Sequence, residues 1–303
     1  MLRSLLLVLS RQPWLRHWME TSPAADRLTS RFVAGSTLER EVAVCRQLNA
    51  GGYLATLDHL GESVSSLEEA EQSRDACLAA LEQIAKLKLE ATVSVKLTQL
   101  GLDFSEQECR ANVECLVARA KSMAARVELD MESSAYVDRT ITLVSDLHAR
   151  YGSVRAVIQA YLHRSESDVQ NLCRQSIPIR LVKGAYREQA DVAFPRKKDV
   201  DTNYVRLMFE LFDHGTYPAI ATHDENILDR ALGYIRERNI AADRFEFQML
   251  YGVRRDLQRR LVAAGYRLRL YVPYGNAWYP YFMRRLAERP ANVIFLARNL
   301  LKS

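Results

Sequence analysis

Short runs of apolar and β-branched residues alternate along the chain with longer stretches of helical periodicity. Tyr53–Asp58, Thr92–Leu97, Arg126–Met131, Val154–Ala160, Ile177–Val182, Ala219–Thr222, Phe245–Met249 and Arg267–Val272 are predicted strands. A helix-length segment follows each of them, the order of a parallel sheet. Eight such units predict an α/β fold, a (βα)8 barrel of the TIM type. Ser66 with Glu69, Ser105 with Glu108, and Ser165 with Asp168 have capping-box or closely related spacing. Val253, Leu257 and Leu261 share one helical stripe, which Gly265 can end. Pro273 and Gly275 are expected to break the chain after the last strand. Residues 1–51 precede the first strand and are expected to form a helical N-terminal arm, with 52–303 as the catalytic barrel domain. No linker, repeat or low-complexity segment divides the chain.

Composition adds little to that picture. The chain has 303 residues, 48% hydrophobic and 26% charged, which is ordinary globular usage. The net charge of +5 arises from arginines crowded between Arg230 and Arg269. That balance favours anionic ligands, yet no dense basic block or nucleic-acid module is present, and nucleic acid is not expected as a partner. Cys45, Cys77, Cys109, Cys115 and Cys173 form no Cys-x-x-Cys pair and read as small buried residues in a reducing compartment. The apolar run Leu5–Leu9 is too short for a signal core, and no stretch reaches the roughly 18 apolar residues of a membrane span. Residues 1–19 read as an amphipathic helix.

In a barrel the chemistry sits at the C-terminal ends of the strands. Asp58, His59, Lys96, Asp130, Glu132, Gln159, Tyr161, Arg180, Lys183, Thr222, His223, Glu246, Gln248 and Tyr271 fall near those ends. Inward polar groups are costly unless paired or wetted, so the ring predicts a polar active-site mouth, with some members as internal salt bridges. The chain lacks a Gly-x-Gly-x-x-Gly fingerprint, a phosphate loop and a Gly-x-Ser-x-Gly elbow. Lys96 or Lys183 can serve as a Schiff-base lysine, as in an aldolase or lyase barrel. His59, Asp130, His223 and Glu246 come singly, without metal-ligand spacing, and no metal is expected. An anion-binding or nucleic-acid-binding protein using the late arginines is the non-enzymatic alternative.

Two segments are more specific. Tyr271 to Glu288 runs from a strand into a helical pattern with adjacent Arg284 and Arg285. Such guanidiniums can grip a carboxylate or phosphate beside the helix, walled by Tyr271, Tyr274, Trp278 and Tyr281; the bland reading is two solvated arginines. In Arg180-Leu-Val-Lys-Gly-Ala-Tyr186, Gly184 and Ala185 let the backbone approach a ligand beside Lys183.

These segments, with Thr56-Leu-Asp-His-Leu-Gly-Glu62, Val93-Ser-Val-Lys96, Glu128-Leu-Asp-Met-Glu132, Ala221-Thr-His-Asp224 and Glu246-Phe-Gln248, resemble in order the proline dehydrogenase family, over roughly residues 53–293. The lack of a long C-terminal extension resembles the monofunctional bacterial type. The resemblance implies a distorted (βα)8 barrel that oxidises L-proline to 1-pyrroline-5-carboxylate by hydride transfer to non-covalent FAD. Electrons then pass to a quinone, in the first step of proline catabolism. It further implies that Arg284, Arg285 and Lys96 bind the proline carboxylate, that Asp130 orients Lys96, and that Arg180 lies near flavin N5. Met131, Gln159, Lys183, Gly184, Ala185, Thr222 and His223 would contact FAD. Tyr271, Tyr281 and Leu250 would pack on the substrate ring, and Glu288 would brace the arginines. The implied location is cytoplasmic, with peripheral contact at the inner membrane surface.

Overall fold

The computed structural model describes residues 12, 29–61, 64–279 and 281–283. Its strands are β1 (Leu54–His59), β2 (Ala91–Val95), β3 (Val127–Leu129), β4 (Val154–Gln159), β5 (Ile179–Val182), β6 (Ala219–Ala221), β7 (Glu246–Leu250) and β8 (Leu268–Tyr274). Each pairs in parallel with its sequence neighbour, and β8 pairs with β1, so the sheet closes into a barrel in chain order. Helix α1 (Leu38–Ala50) precedes β1. Helices α2 (Leu67–Leu87), α3 (Glu106–Ser122), α4 (Val137–Tyr151), α5 (Ser165–Arg174), α6 (Lys197–His214), α7 (Glu225–Glu237) and α8 (Arg255–Ala263) follow β1 to β7 in turn.

Local sequence accounts for most boundaries. Ser66 and Ser105 cap α2 and α3, each accepting the backbone N–H three residues on. The third expected capping box does not form. Ser165 is inside α5 and donates to the Leu162 carbonyl, while Asp168 pairs with Arg164. Pro273 does not break β8, which runs on to Tyr274. A proline is tolerated there because β7 pairs no further than Tyr271. Beyond that point the Pro273 carbonyl accepts from Ala34 at 2.9 Å. Cysteine burial is uneven: Cys45, Cys77 and Cys109 are buried, but Cys115 is exposed and Cys173 half-buried.

Alternate strand residues face opposite sides, and here the two sides differ in kind. The outward set, including Leu57, Val93, Val95, Val127, Leu129, Ile158, Leu181, Phe247, Met249, Leu270 and Val272, is buried with the apolar faces of the helices. The inward set is charged. Arg155 on β4 donates to Glu246 on β7 at 2.6 Å, and Arg269 on β8 donates to the same carboxylate at 2.8 and 3.1 Å. Glu128 on β3 accepts from Thr92 on β2 at 2.7 Å and pairs with Arg180 on β5. Beneath this layer the Tyr217 ring lies 5.5 Å from the Arg155 guanidinium and 5.4 Å from that of Arg267. Buried charge is tolerated because nearly every group has an opposite partner.

Glu41 of α1 is fully buried outside the barrel. Burial, then the charge of Asp58, pushes its carboxyl well above the usual glutamate value of 4.5. The buried thiols Cys45 and Cys77 and the Tyr274 phenol share its electrostatic surroundings. A raised folded-state value gives stability that is full below pH 4.5 and is lost as pH rises toward the folded value. Glu41→Gln cannot ionise, so its thermal midpoint should gain on the wild type as pH climbs above 4.5. A difference that stays constant with pH would contradict a neutral Glu41.

Candidate active site

The barrel mouth holds a second charged layer. Lys96, just past β2, places Nζ 3.5 Å from Asp58 Oδ1 and 3.5 Å from Asp130 Oδ2. Asp130 also accepts from Ser94 at 2.9 Å, from Arg180 Nη1 at 2.5 Å and from the Tyr271 hydroxyl at 2.6 Å. The Arg180 guanidinium carbon stands 5.2 Å from the centre of the Tyr271 ring. Burial alone lowers an arginine's affinity for its proton, but the carboxylates of Glu128 and Asp130 outweigh it and hold Arg180 more firmly charged. Burial, then the charges of Asp130 and Asp58, keeps the Tyr271 phenol protonated far above its usual range. Lys96, Asp130, Arg180 and Tyr271 are therefore one connected cluster drawn from four strands.

A second group lies beside it across β4, β5 and β6. Gln159 donates both amide hydrogens to the backbone, to Met131 at 2.7 Å and Glu132 at 2.9 Å. Its Oε1 is buried and has no partner among the described residues, as is Arg180 Nε. An acceptor and a donor are thus left unsatisfied, as is the Tyr161 hydroxyl, which suits a ligand carrying the complements. Gly184 has φ +112, and a Cβ there would sit 2.2 Å from the Tyr161 ring. Its glycine is required by Tyr161 and by this backbone angle, a different reason from the ligand approach expected from sequence. Lys183 donates to Asp201 at 2.5 Å and Asp224 at 2.9 Å, and Ala185 beyond it is exposed. Glu188, farther along the same loop, caps Ser134 through its N–H at 2.8 Å and hydroxyl at 2.7 Å. Thr222 accepts the Asp224 N–H at 3.1 Å, and His223 Nε2 accepts the Leu250 N–H at 2.9 Å.

Other residues expected in the ring lie elsewhere. Glu246 belongs to the lower layer with Arg155 and Arg269, and Gln248 donates to it at 2.7 Å. His59 turns outward against Tyr274, with ring centres 5.1 Å apart. Glu132 spends both oxygens on Thr98, at 2.6 and 3.0 Å. Among the described residues no cluster of three or more His, Cys, Asp or Glu side chains could hold a metal ion. The late arginines are also largely engaged: Arg254 pairs with Glu225 and Asp256, and Arg260 with Glu225 and Asp229. Tyr281 is buried in an apolar cluster with Phe32, Leu60, Val253 and Phe282, against which Leu250 packs. Arg284, Arg285 and Glu288, and the expected helix at residues 1–19 apart from Gln12, lie outside the described residues.

Sequence reasoning passed over Glu128, Ser94, Arg155 and Arg269 as site-forming groups. The available signal was charge at alternate positions of strands that are otherwise apolar, as in Val154-Arg-Ala-Val157 and Leu268-Arg-Leu270.

The family described as proline dehydrogenase matches residues 42–298. Proline dehydrogenase 1 of Bacillus subtilis subsp. natto is 40% identical over 303 residues, covering 100% of both chains. Proline dehydrogenase of Deinococcus radiodurans is 40% identical over 280 residues, covering 91% of this chain and 90% of the relative. Among solved structures, proline utilization A from Bdellovibrio bacteriovorus inactivated by N-propargylglycine superposes with a TM-score of 0.81 at 26% identity. That match covers 87% of this chain and 33% of the other, so the chain spans about a third of that longer protein.

Proposed function

The chain belongs to the proline dehydrogenase family and is an oxidoreductase of proline catabolism, and from that premise we propose that its mouth binds FAD and L-proline side by side, with a quinone as final electron acceptor. The observation that carries the flavin reading is the pair of buried, unsatisfied groups, Gln159 Oε1 and Arg180 Nε. A flavin ring edge carries one N–H donor among several acceptors, and the two groups complement such an edge. Met131, Gln159, Arg180, Lys183, Gly184, Ala185, Thr222 and His223 would hold the cofactor. The first turn of α7 begins just after His223, and a helix N-terminus favours a phosphate. Lys183 would then divide its ammonium between that phosphate and its present partners, Asp201 and Asp224. When bound, FAD supplies the hydride acceptor.

The protein's own part is positioning. Lys96, with Arg284 and Arg285, would hold the substrate carboxylate, remote from the C–H bond that breaks. Such orientation converts binding energy into a productive geometry. Asp130 fixes Lys96, Arg180 and Tyr271 together. Tyr271, Tyr281 and Leu250 would wall the substrate ring and exclude water, which strengthens the ion pairs. Lys96 is poorly suited to the Schiff-base alternative, because its Nζ is already engaged by Asp58 and Asp130, each at 3.5 Å.

No helix of the described residues is long and apolar enough to cross a membrane. The proposed contact with a quinone-bearing membrane is peripheral. The deciding measurement is a visible spectrum. The purified protein should be yellow and should bleach anaerobically on addition of L-proline. A colourless protein that FAD cannot reconstitute would defeat the cofactor assignment.

A further inference from the structure

Residues 29–35, which precede the barrel in sequence, cross the C-terminal ends of β7 and β8 and reach Leu60 just past β1. Arg31 Nε donates to the Gly252 carbonyl at 3.2 Å, the Ala34 N–H donates to Pro273 at 2.9 Å, and the Gly275 N–H donates to Gly35 at 3.0 Å. The approach at Gly252 is close enough to exclude a side chain: a Cβ there would lie 1.8 Å from the Arg31 carbonyl oxygen, and φ is +76. From this crossing Phe32 and Val33 turn down into the apolar cluster of Leu60, Val253, Tyr279, Tyr281, Phe282 and Met283. The Phe32 and Phe282 rings are 5.9 Å apart, and Phe282 also meets Trp278 at 6.1 Å.

The last three of those cluster residues lead directly, in sequence, into Arg284 and Arg285. The crossing segment is therefore tied on one side to the barrel rim and on the other to the residues that introduce the arginine pair. We infer that residues 29–35 act as a strap that positions the proline site, with Phe32 as the key positioning residue acting through Phe282 on its neighbour Tyr281. Phe32 itself touches no reacting group. Its task is to hold the apolar wall of Tyr281 and Leu250, the latter paired in register with Tyr271 of the charged cluster. This inference rests on the proposed role of Tyr281 and Leu250 as the wall of the substrate ring.

Two variants disturb the strap from opposite sides. Phe32→Ala removes the ring from the cluster and leaves the backbone contacts. Gly252→Ala forces the Arg31 backbone off the rim and leaves the cluster residues intact. Both should raise the proline KM, and the dissociation constant of cyclopentanecarboxylate by calorimetry, by about tenfold. The turnover number should stay within about twofold and flavin retention should be unchanged, while Phe32→Leu restores most of the affinity. A merely structural role would lower folded fraction or flavin content and leave the two binding constants alone. Unchanged KM and calorimetric affinity in folded Phe32→Ala or Gly252→Ala protein would overturn the strap. Arg284→Met and Arg285→Met, measured in parallel, separate the two ideas. If they weaken binding and the strap variants do not, the strap alone falls. If they leave binding unchanged, the arginine assignment falls on its own evidence.

Discussion

Glu128→Gln should lower the thermal midpoint by on the order of 10 °C, the largest stability effect expected from a near-isosteric change in this chain. Glu128 is fully buried and meets Arg180, Arg155 and Thr92. Burial by itself would raise its pKa, but Arg180, Arg155 and Arg269 overcome that and hold it at about 2. Removing the charge leaves Arg180 with Asp130 and Arg155 with Glu246, and the buried layer one carboxylate short of balance. Breaking a buried pair from one side typically costs about 3–5 kcal/mol. The sign with pH follows from the depressed value. The wild type keeps this contribution above the ordinary value of 4.5 and loses it as pH falls toward about 2. Melting curves across that window should converge for wild type and variant on the acid side. A variant as stable as the wild type at neutral pH would mean that the pairs contribute nothing to holding the barrel.

Arg284→Met and Arg285→Met should each raise the proline KM by about 100-fold, equivalent to about 3 kcal/mol of charged hydrogen bonding. Lys96 already shares its charge between Asp58 and Asp130. On the proposed reading it would make a weak sole partner for a substrate carboxylate, and most of the grip would come from further cations. The turnover number should change less than KM, since the carboxylate is remote from the bond that breaks. Steady-state kinetics with L-proline provides the check. An unchanged KM in both variants would remove the carboxylate grip from this pair.

The barrel was legible because its outward strand residues are apolar and its strands alternate with helix-length segments. Strand ends shifted by a residue or two, as local pattern allows. Pro273 misled because proline is read as a breaker, whereas the tertiary position decides: it faces the place where β7 has already ended. The paired arginines and Lys96 stood out through neighbours in sequence. Glu128, Arg155 and Arg269 did not, because their partners lie across the barrel and only the closed sheet brings them together. Glu246 and His59 were placed at the mouth from their position in the chain alone. Strand parity turns His59 outward, and depth along β7 puts Glu246 in the lower layer. The role of Gly184 was likewise invisible without the Tyr161 ring that fills the space beside it.

The pairing of β8 with β1 joins the two strands farthest apart in the chain. On the ribosome, β1 waits with one edge unpaired until β8 has emerged. Tyr271, which completes the Asp130 cluster, arrives with that final strand. An unfinished chain thus lacks both a closed cylinder and an intact charge cluster. Closing the ring is also the contact of greatest sequence separation in the sheet, and loop closure of that length carries the largest entropic cost.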